Sequence, residues 1–221
     1  EKKKENDRII KRNFDYLCKV IPLLEPKTVL PFAGAYIIGG KNYFKNEYLG
    51  TTTWDECADY LKKNLNSKTN VICLRENQTF DISNQVSLEN YERIDLSDMK
   101  KYIQIIKNHK YDYEYDEMPD IKKLKDDIKL SKEKLSEKLK KFDVDIKSSV
   151  FIDLDGEKIN ILNSKEENRE LICSMDNRLL RRILDRKSHW NNAEIGTHIT
   201  FKRTPNKMDP DVHTIMSFFH L

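Results

Sequence analysis

The dipeptide Asp155-Gly156 restricts the fold of this chain more than any other feature of its sequence. The segments on either side of it are rich in β-branched and other apolar residues. Asp-Gly is favoured in the two-residue turns of hairpins because both central positions of a type I′ turn need a positive φ. The sequence therefore predicts an antiparallel β-hairpin over 149–162, and two further strands are predicted at 170–174 and 198–203.

Patterns with helical periodicity surround these strands. A long amphipathic helix is predicted over 121–142, because apolar residues form one stripe and charged residues fill the other faces. Shorter helices are predicted from Asp176 or Asn177 to Leu184, and over 212–219. The long helix could form a marginal coiled coil or bind a partner, but packing against its own sheet is the favoured interpretation. Its apolar stripe consists of Ile121, Leu124, Ile128, Leu135, Leu139 and Phe142.

The N-terminal half has a different order of elements. A charged helix over 1–20 is expected to end at Pro22 and Pro26. Short buried strands are predicted at 28–32 and 70–74. Between them lies a helix capped by one of the threonines at 51–53 and ending at Asn64. This order is typical of a sheet covered by helices.

A domain junction is expected near the middle of the chain. A helix with its cap at Ser97 or Asp98 precedes an acidic, tyrosine-rich segment over 111–120, which is interpreted as a linker. The predicted domains are therefore 1–110 and 121–221.

Composition excludes several classes of protein. The 40 basic and 37 acidic residues give a net charge of +3, which is too small an excess to indicate a nucleic-acid-binding protein. No apolar run reaches the roughly 20 residues of a transmembrane helix, and no signal peptide is recognisable. Four scattered cysteines predict reduced thiols in the cytoplasm, and a zinc site built from them is not expected.

Three possible ligand motifs fail on their spacing. The run from Gly34 to Lys41 has Gly40 where a phosphate loop needs lysine. The acidic run from Asp112 to Asp116 lacks the glycine and glutamate of an EF-hand. No two histidines have the spacing of a zinc motif.

The densest polar chemistry lies between Arg178 and Arg203, where seven basic and two acidic residues occur. The guanidinium groups of Arg181 and Arg182 could bind a carboxylate or phosphate through two hydrogen bonds each. Trp190 could stack on a sugar or base. The alternative is that the basic residues form a solvated helix face and that Trp190 belongs to the core.

Two segments resemble a known family. The first is 26–41, Pro-Lys-Thr-Val-Leu-Pro-Phe-Ala-Gly-Ala-Tyr-Ile-Ile-Gly-Gly-Lys, which resembles the strand and turn beside the metal site in the C-terminal half of a metallo-β-lactamase-fold domain. The second is 180–196 with Phe201-Lys-Arg203. It resembles the tail of the branch that contains the nucleotide-sugar hydroxylases, where a small sterol-carrier-like α/β domain follows the lactamase-like fold.

The resemblance implies a fold class of α/β plus α+β: the C-terminal half of a metallo-β-lactamase-like fold over 1–110 and a sterol-carrier-like α/β domain over 121–221. It also implies a hydrolase or hydroxylase that uses zinc or iron on an anionic substrate containing a sugar or nucleotide. The implied substrate-binding residues are Gly34, Ala35, Tyr36, Arg181, Arg182, Trp190, Asn191 and Asn192.

The departures from the family concern the metal. Its H-x-H-x-D-H motif is absent, and residues 75–80 read Arg-Glu-Asn-Gln-Thr-Phe where the last family histidine would follow its strand. We therefore expect no metal ligand in this chain. The simplest explanation of the absent metal motif is that the N-terminal half of the fold lies in cis or on a second chain, and the missing initiator Met hints at residues upstream. The alternatives are a degenerate relative and a non-catalytic binding or protein-interaction module that uses Arg178 to Arg203.

Overall fold

A computed structural model describes residues 1–33, 36–65, 68–142, 146–164, 166 and 168–221. The chain is a mixed α/β protein with small sheets. It divides into an N-terminal unit, 1–109, and a C-terminal unit, 110–221. Among the described residues, no helix is both long enough and apolar enough to cross a membrane.

The N-terminal unit begins with helix α1, Lys2–Leu24. The predicted stop at Pro22 is wrong, because the helix continues through this residue. It ends where Glu25 takes a left-handed conformation with φ of 45°. Glu25 precedes Pro26, and the ring of a proline disfavours the helical conformation of the residue before it. The second proline therefore stops the helix.

Strands β1, Thr28–Val29, and β2, Asn70–Val71, form a two-stranded parallel sheet. Both are shorter than the five residues predicted for each. Pro31 cannot donate a backbone hydrogen bond, which limits how far the ladder of β1 can extend.

Helix α2, Trp54–Asn64, lies between these strands in the sequence and begins at the predicted place. Thr53 Oγ1 accepts a hydrogen bond from the backbone N–H of Glu56, and Glu56 Oε2 accepts one from the backbone N–H of Thr53. This capping box satisfies two backbone donors at the start of the helix. It confirms the prediction of a threonine cap.

The remaining elements of the N-terminal unit are short. A 3₁₀ helix spans Gly40–Tyr48, and strands β3, Phe80–Asp81, and β4, Val86–Ser87, pair antiparallel. Helix α3, Leu96–Ile106, is capped by Asp95, whose side chain accepts a hydrogen bond from the backbone N–H of Ser97. The cap thus lies two residues before the earlier of the two predicted positions.

The segment 111–120 belongs to the C-terminal unit, which corrects its interpretation as a linker. It contains a 3₁₀ helix, Asp112–Tyr115. Tyr113 is buried in the core of this unit, and Asp116 pairs with Arg182. The acidic composition suggested a solvated segment, but burial of one aromatic ring and pairing of one carboxylate attach it to the domain.

Helix α4, Ile121–Phe142, and the hairpin of β5, Ser149–Leu154, and β6, Glu157–Leu162, have the predicted bounds. Strands β7, Glu170–Ser174, and β8, Thr200–Thr204, complete a four-stranded sheet in the order β6-β5-β7-β8. Strands β5 and β7 are parallel, and the other two pairs are antiparallel.

Three short helices follow the third strand: α5, Asn177–Leu184, α6, Trp190–Ile195, and α7, Pro210–Met216. Asp176 caps α5 by accepting a hydrogen bond from the backbone N–H of Arg178. Alternate side chains of β5 are buried and pack in one core with the apolar stripe of α4. The amphipathic helix therefore covers its own sheet. The buried residues of this contact are Leu124, Ile128, Leu135, Val150, Ile152 and Leu154.

Candidate functional site

An open apolar groove of about 390 Å³ lies at the carboxyl end of β1 in the N-terminal unit. Helix α1 forms one wall, the residues after β1 form the second, and the start of α2 forms the third. The carboxyl ends of parallel strands are common places for ligands in α/β sheets. The apolar side chains of its wall include Ile10, Phe14, Leu17, Val29, Phe32 and Trp54.

Polar groups also line the groove. They come from Asn13 on α1 and from the loop that leads into α2, through Thr51 and Thr52. Gly50 fixes this loop against α1: its N–H donates to Asn6 Oδ1 at 2.7 Å, and its φ is +70°. A Cβ at Gly50 would lie 3.0 Å from Ile9 Cγ2, so a side chain would be strained by both backbone and packing.

The residues expected after β1 are only partly described. Gly34 and Ala35 lie outside the described residues. Tyr36 is 42% exposed, and Phe32, on the wall of the groove, is 85% exposed. Gly39 packs closely on α3, because a Cβ there would lie 3.2 Å from the backbone oxygen of Ile106. Gly39 of the glycine-rich segment thus makes a close backbone approach to α3.

The core of the N-terminal unit is small. Six apolar residues are buried in its described part, and 23 are buried in the described part of the C-terminal unit. A domain of this length normally buries a much larger share of its apolar surface. Several large apolar side chains are instead exposed, among them Leu23, Leu24, Phe32, Ile82 and Ile105. The buried set is Ile21, Ile38, Ala58, Leu61, Val71 and Cys73.

A second, polar pocket of about 360 Å³ lies between α2 and the strand β2. Arg93 binds both carboxylate oxygens of Asp59, at 3.1 and 2.6 Å. Asp55 is buried and accepts from the backbone N–H of Ile94 at 2.9 Å. Burial and the nearby Asp55 raise the pKa of Tyr91 to about 12, so this phenol stays protonated at neutral pH.

Three cysteines also lie in the N-terminal unit: Cys73 in its core, with Cys18 and Cys57 packed against it. Burial raises the pKa of all three thiols. Since the thiolate is the nucleophilic form, these side chains are poor nucleophiles and serve packing.

In the C-terminal unit, the arginines expected to bind an anion are engaged with acidic side chains. Arg181 contacts Asp127 and Asp185, each at 2.5 Å. Arg182 binds the two carboxylate oxygens of Asp116, at 2.5 and 2.8 Å. These pairs place both guanidinium groups in contacts between elements of the same unit.

The other three expected residues lie at the start of α6. Trp190 is 2% exposed, and its ring meets that of Phe219 edge to face at 6.2 Å. It therefore contributes to the core, which is the alternative considered for it. Asn191 and Asn192 are exposed. Within the described residues, neither asparagine shares a pocket with Arg181 or Arg182.

A buried polar cluster was not anticipated from the sequence. His213 Nδ1 lies 2.5 Å from Glu194 Oε1, and its Nε2 lies 3.3 Å from Arg203 Nη2. Beside it, Ser148 Oγ donates to Asp209 Oδ2 at 2.8 Å. Its members are separated by up to 65 positions in the sequence, so no local motif indicated it. The one signal was a polar residue, His213, within an apolar helical pattern.

The zinc or iron implied by the family resemblance was expected to have its ligands outside this chain. Within the described ranges, no three His, Cys, Asp or Glu side chains come close enough to hold a metal ion. No family model, curated protein or solved structure matches the chain.

Proposed function

We propose that this chain is the C-terminal portion of a metallo-β-lactamase-fold metalloenzyme, a hydrolase or hydroxylase that acts on an anionic substrate containing a sugar or nucleotide. The observation that carries the proposal is the incomplete core of the N-terminal unit. A parallel sheet is normally covered on both faces and continues into further strands. The short parallel pair of β1 and β2, beside an open apolar groove, is what one part of a larger lactamase-fold sheet would look like on its own.

The N-terminal half of the fold, in cis or on a second chain, would cover the groove and supply the ligands of a zinc or iron ion. This chain would supply one wall of the site through Gly34, Ala35 and Tyr36. The phenol of Tyr36 is placed after β1 and is accessible, so it can donate a hydrogen bond to an anionic or hydroxylated substrate. The four-stranded sheet and helices of 110–221 fit the small sterol-carrier-like domain.

The first test is intact-mass measurement and elemental metal analysis of the protein purified from its native source. We expect either a mass well above 26.3 kDa or a tightly bound partner chain, with about one or two transition-metal ions per complex. A native mass of 26.3 kDa with neither metal nor partner would contradict the proposal. The chain would then be assigned as a non-catalytic binding module.

A second test uses the same native protein with Tyr36→Phe, and Tyr16→Phe as the matched control. Both tyrosines are exposed and neither lines the groove itself, but Tyr16 lies on α1 and not in the segment that follows β1. Loss of one hydrogen bond should weaken binding of a UDP- or CMP-sugar about five-fold in calorimetry. Equal affinities of the two variants would remove Tyr36 from the site.

A further inference from the structure

His213 joins three elements of the C-terminal unit through its imidazole ring. It lies on α7, its Nδ1 faces Glu194 on α6, and its Nε2 faces Arg203 on β8. The side chain is 9% exposed, and its ring meets that of Phe201 at 4.9 Å. The two nitrogens thus lie beside groups of opposite charge in an almost closed site.

The chemistry of the partners determines where the proton of the ring must lie. A guanidinium group has donors and no acceptor, so Nε2 can bond to Arg203 only through its lone pair. The proton of the neutral ring then lies on Nδ1, beside the carboxylate of Glu194. A second proton, on Nε2, would set two donors against each other at 3.3 Å.

The other charged groups near this site lie at the same end of the sheet. Arg169, Glu170, Lys207 and Asp209 line the pocket that His213 and Arg203 also line. Arg169 Nη2 lies 3.9 Å from Asp209 Oδ2. Asp209 contacts Arg169 and Ser148, and Glu170 lies 3.9 Å from Lys158 Nζ. The carboxylate in contact with the ring of His213 is therefore Glu194.

We propose that His213 is a proton-operated clasp for the edge strand β8. In its neutral form the ring holds Arg203 through Nε2. In its protonated form it pairs with Glu194 alone and releases Arg203. Strand β8 is bonded to β7 on one side and lies at the edge of the sheet, so losing the Arg203 contact weakens its attachment. This proposal is independent of the metalloenzyme assignment.

The test is NMR spectroscopy of the ¹⁵N-labelled 221-residue chain between pH 8 and pH 5. At pH 8, the ring nitrogens of His213 should show the proton on Nδ1. Acidification should shift the Nε–H signal of Arg203 and lower the hydrogen-exchange protection of the amides of Thr200–Thr204 about ten-fold, after correction for intrinsic exchange. This is the change expected from losing one charge-assisted hydrogen bond.

Two variants separate the effect of protonating His213 from general effects of acid on the protein. His213→Gln has no titrating ring and should remove the pH dependence of protection in β8, whereas His189→Gln, at an exposed position before α6, should keep it. A proton on Nε2 at pH 8 would overturn the proposal. So would equal loss of protection in all three proteins. The tautomer is read from the wild-type chain, so the test survives failure of His213→Gln to fold.

Discussion

Ser148 and Asp209 form a buried hydrogen bond, with Ser148 Oγ donating to Asp209 Oδ2 at 2.8 Å. The first residue precedes β5 and the second precedes α7, so the bond joins two loops that are distant in sequence. A buried carboxylate that loses a donor is left with part of its charge uncompensated. This bond is therefore expected to stabilise the C-terminal unit.

Ser148→Ala should lower the free energy of unfolding by about 1–3 kcal/mol, because the carboxylate of Asp209 stays buried without its donor. The measurement is urea denaturation followed by circular dichroism. Ser188→Ala is the control, because Ser188 lies in the loop between α5 and α6 and is only partly buried. Equal midpoints for the two variants would show that the bond does not contribute.

The apolar stripe of α4 should respond to substitution according to burial. Ile128 is fully buried and Leu130 is 44% exposed on the same helix. Ile128→Ala should cost about 2–5 kcal/mol of unfolding free energy, because it removes transfer energy and leaves a cavity. Leu130→Ala should cost less than about 1 kcal/mol. Comparable losses in urea denaturation would contradict the packing of this helix on its sheet.

The capping box of α2 gives a prediction for the N-terminal unit. Thr53→Ala removes the acceptor for the N–H of Glu56 and should destabilise α2 by about 0.5–2 kcal/mol. Hydrogen exchange of the amides in the first turn of the helix measures this directly. Thr52→Ala, one residue earlier and outside the cap, should leave those exchange rates nearly unchanged.

Attachment of the segment 111–120 should depend on pH. A hydrogen bond from Arg182 holds the pKa of Asp116 below its usual range. A carboxyl group with a lowered pKa in the folded state contributes stability that is present above its unfolded pKa and is lost as the pH falls through the folded value. Acid should therefore weaken the attachment of this segment to α5, while the buried ring of Tyr113 still holds it to the core.

Carboxyl ¹³C NMR of Asp116 checks this prediction. In Arg182→Gln, the pKa of Asp116 should rise towards its usual value. Arg186→Gln, which removes another arginine of the same region, should leave it unchanged. If the Asp116 titration were the same in all three proteins, Arg182 would not be the partner in solution.

Local patterns accounted for much of the secondary structure. The Asp155-Gly156 turn and the stripe of α4 gave the bounds of three elements, because each depends on neighbouring residues that enforce one periodicity. Prediction was less successful at Pro22, where a local rule was applied too strongly. It also failed at Tyr113, because the acidic residues around it suggested a solvated linker although its ring is buried in the core.

Prediction of site residues was weaker for a physical reason. Arg181, Arg182 and Trp190 have side chains suited to binding ligands, but the same chemistry suits ion pairs and cores. Whether a guanidinium group is accessible depends on which carboxylates the fold brings to it. Asp116 and Asp127 lie more than 50 positions from their arginines, so the sequence does not reveal the pairing.

The sequence by itself determined the long helix α4, the hairpin of β5 and β6, strand β7, helix α5 and the threonine cap of α2. These follow from backbone conformation and periodicity, which act over a few residues. Only the tertiary structure decided that Trp190 is buried, that the arginines are paired and that Glu194, His213 and Arg203 meet. Such contacts join residues distant along the chain, and they depend on how the sheet and helices pack.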